Sequence, residues 1–133
     1  MNCATFDFAA LNARLARSKF RMRFTLTEAE CARVAELGRA RLRAQIIDIL
    51  QQRLAPACLS NDGKQTPMRG FAVFVAQHAT ACCCRNCLRK FYGIEQGRAL
   101  TPDEVELLTC VILKWIDAHC GDLDRFARTP DLF

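Results

Sequence analysis

The stretch Thr101–Gly121, "TPDEVELLTCVILKWIDAHCG", decides the fold class. Thr101 offers a hydroxyl to cap a helix, and Pro102 occupies the first helical position, where no N–H donor is needed. Glu104, three residues after the cap, completes a capping box. Val105, Leu108, Ile112, Trp115 and Ile116 then recur at spacings of three and four, which lays them on one apolar stripe. A sequence so punctuated predicts an amphipathic helix.

Other segments upstream carry the same signature. Thr27 and Glu30 form a second box ahead of "AECARVAELG", and Gly38 is free to take the left-handed conformation that ends a helix. In "RARLRAQIIDILQQRLA", Leu42, Ile46, Ile49, Leu50 and Leu54 share a stripe before Pro56 breaks it. Phe8, Leu11 and Leu15 predict a short helix near the start. "FAVFVAQHA" is too short for periodicity alone to decide, and is read as helix. The Thr66-Pro67 pair reads as its start. "TACCCRNCLRKFYG" is expected to be helical from Thr80 as cap to Gly93 as terminator. "KFRMRFTL", residues 19–26, differs: Phe20, Met22 and Phe24 alternate with Lys19, Arg21 and Arg23, the pattern of an extended segment. The tail "DLDRFARTPDLF" is expected to add one turn and fray.

The expected architecture is therefore all-α: a single domain over 1–133 with five or six helices. A basic arm or helix spans 1–25, and a helical core holding a Cys/His cluster spans 26–133. At 133 residues, with 51% of them hydrophobic, the chain is long enough to bury a core without covalent staples. No window reaches the roughly 18 unbroken apolar residues of a membrane span. The first twenty residues place charges after apolar positions, the wrong order for a secretory signal. The chain reads as cytoplasmic. Nine cysteines are an odd number, which argues against a disulfide framework and for reduced thiols.

Charge is uneven. Residues 1–60 hold ten Lys/Arg against five Asp/Glu, residues 61–100 six against two, and residues 101–133 three against seven. A basic front with an acidic tail suits either nucleic-acid affinity or two solvated faces.

Chemistry concentrates in "HATACCCRNC", residues 78–87. On one continuous helix Cys83, Cys84 and Cys87 fall within an arc of about 100° and could share an ion, whereas Cys82 lies outside that arc. His78 would sit about 180° from Cys87, so it joins them only if the helix breaks near Thr80. Three cysteines and a histidine suit zinc, with an iron–sulfur cluster less favoured; soft thiolates disfavour magnesium and calcium. Cys120 and His119 are an alternative source for the fourth ligand. Reactive or redox thiols at a helix start and simple thiol packing are the competing readings. Cys3, Cys31, Cys58 and Cys110 are scattered and suggest no chemistry.

The elements "DGKQTPMRG", "AQHAT", "CCR-x-C" and "GR-x-LT" within residues 61–101 resemble a family of small bacterial and phage proteins. That family is catalogued as domain of unknown function 4186. The similarity extends back through "RSKFRMRF" and forward into the last long helix. The resemblance implies no reaction. It does imply that His78, Cys83, Cys84, Arg85 and Cys87 form a shared motif, with Gly63, Lys64, Gln65 and Arg69 as companions and Cys82 incidental. The resemblance also implies that Phe71 and Tyr92 stand at positions that can hold histidine in the family; if either histidine is a ligand there, this sequence has lost it.

Two classes of function follow. In the first, zinc on His78, Cys83, Cys84 and Cys87 pins a small module that contacts nucleic acid or another protein. Lys19, Arg21, Arg23, Lys64, Arg69, Arg85, Arg89 and Lys90 are then the candidate anion contacts. In the second, the cluster is catalytic. Either three cysteines hold zinc with an open position and His78 acts as acid/base, or Cys84 is a nucleophile and Arg85 binds an anion. A thiol-rich interaction protein without metal is the third alternative.

Overall fold

A computed structural model describes residues 2–121. Seven helices account for the regular structure among the described residues: α1 Phe8–Ala16, α2 Lys19–Met22, α3 Glu28–Leu37, α4 Arg39–Arg53, α5 Ala72–Ala79, α6 Arg85–Tyr92 and α7 Pro102–Cys120. No strand is present among these residues, so the all-α expectation holds. Residues 122–133, where an extra turn was expected, lie outside the described residues. No described helix is long and apolar enough to cross a membrane.

The predicted caps of the long helices form. The Thr101 hydroxyl accepts from the Glu104 amide while the Glu104 carboxylate accepts from the Thr101 amide, and Thr27 with Glu30 does the same for α3. Each box satisfies two N–H groups that the first helical turn leaves without partners. The apolar face of α7 is the centre of the molecule: α4 and α5 pack against it, and α3 packs on both α4 and α5. Leu42, Ile46, Leu50, Leu107, Ile112 and Ile116 are essentially fully buried in this core. Fully burying each such side chain contributes about 2 kcal/mol. Arg39–Asp117 and Arg43–Glu106 ion pairs tie α4 to α7 at the surface.

Three local expectations need correction. Residues 19–22 are helical, not extended: the Ser18 hydroxyl caps the turn by accepting from the Arg21 amide. Phe24, past the end of α2, is buried (6% exposed) and Met22 lies in solvent (60%), while Phe20 (40%) meets the Phe24 ring edge-on at 5.1 Å, so the three do not share a side. Thr66-Pro67 starts no helix, because the Thr66 hydroxyl donates to the Cys83 carbonyl at 2.9 Å. α5 begins five residues later, at Ala72. The cysteine helix begins at Arg85, not after Thr80.

One further correction concerns the thiols. Cys31 at the buried face of α3 and Cys120 at the end of α7 are disulfide-bonded, their Cα atoms 5.4 Å apart. Their separation of 89 residues hides the pairing from any local reading of sequence. Cys120 is thereby removed as a ligand source, and His119 stacks on Trp115 at 3.8 Å instead.

Candidate metal centre

The break after His78 is built from the backbone. α5 ends with Thr80 as C-cap; the Ala81 amide then donates to the His78 carbonyl and the Cys82 amide to the Gln77 carbonyl. This pair of bonds is a Schellman motif. It places Ala81 in the left-handed region at φ 61°, the one positive-φ non-glycine residue among those described. An alanine there costs about 1 kcal/mol relative to glycine. The gain is direction: the chain leaves α5 and runs extended into Cys84 (φ −157°, ψ 166°), which caps α6.

Cys83, Cys84 and Cys87 converge as a result, their Sγ atoms all within 4.8 Å of one another. Convergence arises from a turn entering a helix, however, and not from three positions on one helix. Cys84 Sγ accepts from the Cys87 amide at 3.4 Å, so one of the first-turn N–H groups that α6 leaves without a helical partner points at sulfur. Zinc would sit about 2.3 Å from each sulfur, which brings such a trio slightly closer together. Cys82 stands apart as expected. It is fully buried, with Sγ 3.2 Å from the Tyr92 hydroxyl, and burial pushes its thiol up to about 11.

Arg21, expected to present its charge to an outside anion, lies against the thiols. Its guanidinium donates to Cys87 Sγ at 3.0 Å, to Cys83 Sγ at 3.5 Å and to the His78 carbonyl at 2.7 Å. Hydrogen bonds from the neighbouring Cys83 and Cys84, then Arg21, hold the Cys87 thiol far below its ordinary range. The Cys83 thiol moves the opposite way, raised by its hydrogen bonds to the other two and by burial. The direction of these shifts favours the thiolate at Cys87, the sulfur closest to the Arg21 guanidinium. Alternation in "KFRMRF" pointed to Arg21 as a solvent-facing cation; only the fold reveals that it faces sulfur.

His78 lies beside the cluster but outside the group of mutually close donors. Its Nε2 is 3.1 Å from the Thr66 carbonyl, and its ring stacks on Phe24 at 5.8 Å between centroids. Thr66 therefore bridges the site, meeting His78 through its carbonyl and Cys83 through its hydroxyl. The loop before it is held equally firmly. Asp62 accepts from the Arg85 amide at 2.9 Å and from Gln65 Nε2 at 2.9 Å, while Gln65 Oε1 accepts from the Gly63 amide.

Arg85 turns inward. It is 3% exposed and donates to the carbonyls of Leu54, Pro56 and Glu95. Its expected contact with an outside anion is thus replaced by a structural one. Arg69 is exposed but paired with Glu30 at 2.8 Å. Arg89 is exposed and bonds Asn86 and Gln96. Lys19, Arg23, Lys64 and Lys90 are exposed, with Arg23 4.9 Å over the Phe20 ring. An apolar cavity of about 320 Å³ adjoins Arg21, lined by Phe8, Leu11, Leu15, Phe24 and Trp115.

The fold and site define a small all-helical protein with a three-cysteine cluster able to hold a metal ion. Residues 9–117 match the family described as Domain of unknown function (DUF4186), and the chain belongs to it. No solved structure matches the chain. The elements behind the resemblance, "DGKQTPMRG", "AQHAT" and "CCR-x-C", are the ones brought together here through Asp62, Thr66, His78 and Arg85.

Proposed function

We propose that this protein binds one zinc ion through Cys83, Cys84 and Cys87 and uses the pinned surface around it to contact nucleic acid. The observation that carries the reading is the convergence of three sulfurs within 4.8 Å at a capped helix start. Three thiolates on a dication leave one negative charge, which Arg21 balances at hydrogen-bond distance. The helix N-terminus adds partial positive charge. Soft sulfur donors favour zinc over hard cations, and over iron–sulfur because a fourth cysteine is absent from the group. His78, whose carbonyl shares the Arg21 guanidinium with the thiols, takes the fourth position if its ring turns away from Thr66.

Elemental analysis of protein purified without added metal tests the site. Cys84→Ser and Cys87→Ser are each expected to carry one zinc fewer per chain than the parent, and Cys82→Ser to match the parent. A metal-free parent that also fails to take up zinc under reducing conditions defeats the reading. Nucleic-acid contact would use Lys19, Arg23, Lys64, Arg89 and Lys90, all of them exposed. Retention on DNA or RNA should fall steeply with added salt. No retention at low salt would make this charge a solvated surface only.

A second reading is favoured by a separate observation. The three-sulfur group leaves a tetrahedral ion with one open position, and the apolar cavity beside it shares Arg21. Three protein ligands plus water is the catalytic form of zinc. His78 would then serve as acid/base. Cobalt substitution separates the two: a spectrum that shifts on adding azide indicates an open position, an unshifted one a closed site.

A further inference from the structure

We propose that the protein carries a second cation site, built from Cys3, Glu106 and Cys110. Glu106 and Cys110 are four residues apart on α7, so their side chains share one face. Cys3, in the turn before α1, is brought to that face from 103 residues away and donates to the Glu106 carbonyl at 3.5 Å. The two sulfurs and a carboxylate oxygen all lie within 4.8 Å of one another. Ligands on a tetrahedral zinc ion, about 2.3 Å from it for sulfur and about 2.0 Å for oxygen, stand somewhat under 4 Å apart. A small inward movement completes the arrangement.

All three residues are half-buried, and Cys3 packs against the main core, so the group is neither a loose surface cluster nor sealed from entry. Arg43 of α4 holds Glu106 Oε2 at 2.5 Å, which fixes the carboxylate and leaves its other oxygen for the ion. Two thiolates and one carboxylate beside that single arginine leave two negative charges, the number a divalent cation neutralises. Binding releases the two thiol protons to solvent and forms two metal–sulfur bonds and one metal–oxygen bond. No electron moves. Sulfur donors select a soft divalent ion such as zinc or cadmium, and the remaining position falls to water. The ion would clamp the first residues of the chain to the middle of α7.

Titration of the metal-stripped chain with cadmium, its Cys31–Cys120 bond intact and its other thiols free, followed by thiolate-to-metal charge-transfer absorbance, tests the site. Two equivalents are expected. Cys3→Ala/Cys110→Ala should bind one equivalent, and Cys84→Ala/Cys87→Ala should also bind one, so failure of either site is read separately from the other. Glu106→Gln should retain two equivalents while weakening one of them about tenfold, which guards against a double variant that folds poorly. The proposal is overturned if Cys3→Ala/Cys110→Ala binds as many equivalents as the parent, or if the parent binds only the ion lost in Cys84→Ala/Cys87→Ala.

Discussion

At the scale of single residues, the site depends on two side chains that never need to touch an ion. Ala81 holds a left-handed conformation that L-residues resist. Ala81→Gly should raise unfolding free energy by up to about 1 kcal/mol, while a β-branched valine should lower it by more. Urea denaturation of the two variants checks both signs. Arg85 is the larger stake. Arg85→Met removes the donors of the Leu54, Pro56 and Glu95 carbonyls, the first of them on a buried residue, and should cost about 2 kcal/mol. Arg85→Lys should recover only part of this, because an ammonium lacks the planar fork that reaches several acceptors together. If Arg85→Met melts with the parent, these bonds do not secure α6 in solution.

At the scale of elements, helix ends decide where side chains meet. Thr101→Ala should cost about 1 kcal/mol, read as a lower midpoint in thermal or chemical unfolding. Glu104 adds a pH dependence of fixed sign. Hydrogen bonds from Arg98, and then from the Thr101 amide, hold its carboxyl down at about 2, against an ordinary value of 4.5. A depressed carboxyl contributes stability fully present above the unfolded value and lost as pH falls toward the folded one. Melting temperature should therefore decline between pH 5 and pH 2, on the order of these values. Glu104→Gln should flatten that arm; an unchanged acid limb would show that other carboxylates dominate.

The same element scale shows how far the sequence was legible. Thr27, Glu30, Thr101 and Glu104 act on neighbours within three residues, so both boxes could be read directly. Gly93 likewise ends α6 in the left-handed conformation at φ 71°. The start of α6 could not be read in the same way. Thr80 is a good cap by type, yet its hydroxyl donates back to the Ala76 carbonyl and ends α5. A cysteine took the cap instead, a residue that propensity does not nominate. Arg21 and the thiols, like Arg85 and the carbonyls of Leu54 and Pro56, meet across tens of residues, where local pattern carries no information.

At the scale of the whole molecule, α7 organises the rest: it packs against α4 and α5, carries Glu106 and Cys110, and ends in Cys120. The Cys31–Cys120 bond closes a long loop and should contribute roughly 2–4 kcal/mol by restricting the unfolded chain. Cys31→Ser and treatment with a phosphine reductant should each lower the melting temperature to a similar value. Neither should change zinc content at Cys83, Cys84 and Cys87, since those thiols belong to different elements. A melting temperature indifferent to reductant would mean that the two sulfurs stay unjoined in solution.

The grip on the loop at Asp62 has a bearing on shelf life. An aspartyl–glycine sequence ages readily, because the unhindered glycine nitrogen attacks the adjacent carboxyl carbon and closes a cyclic imide that reopens as isoaspartate. Here both participants are occupied: the nitrogen of Gly63 is turned toward Gln65, and the carboxylate of Asp62 toward the backbone of Arg85. The fold thus shelters a chemically fragile link whose conversion would lengthen the main chain by one carbon beside the thiol turn.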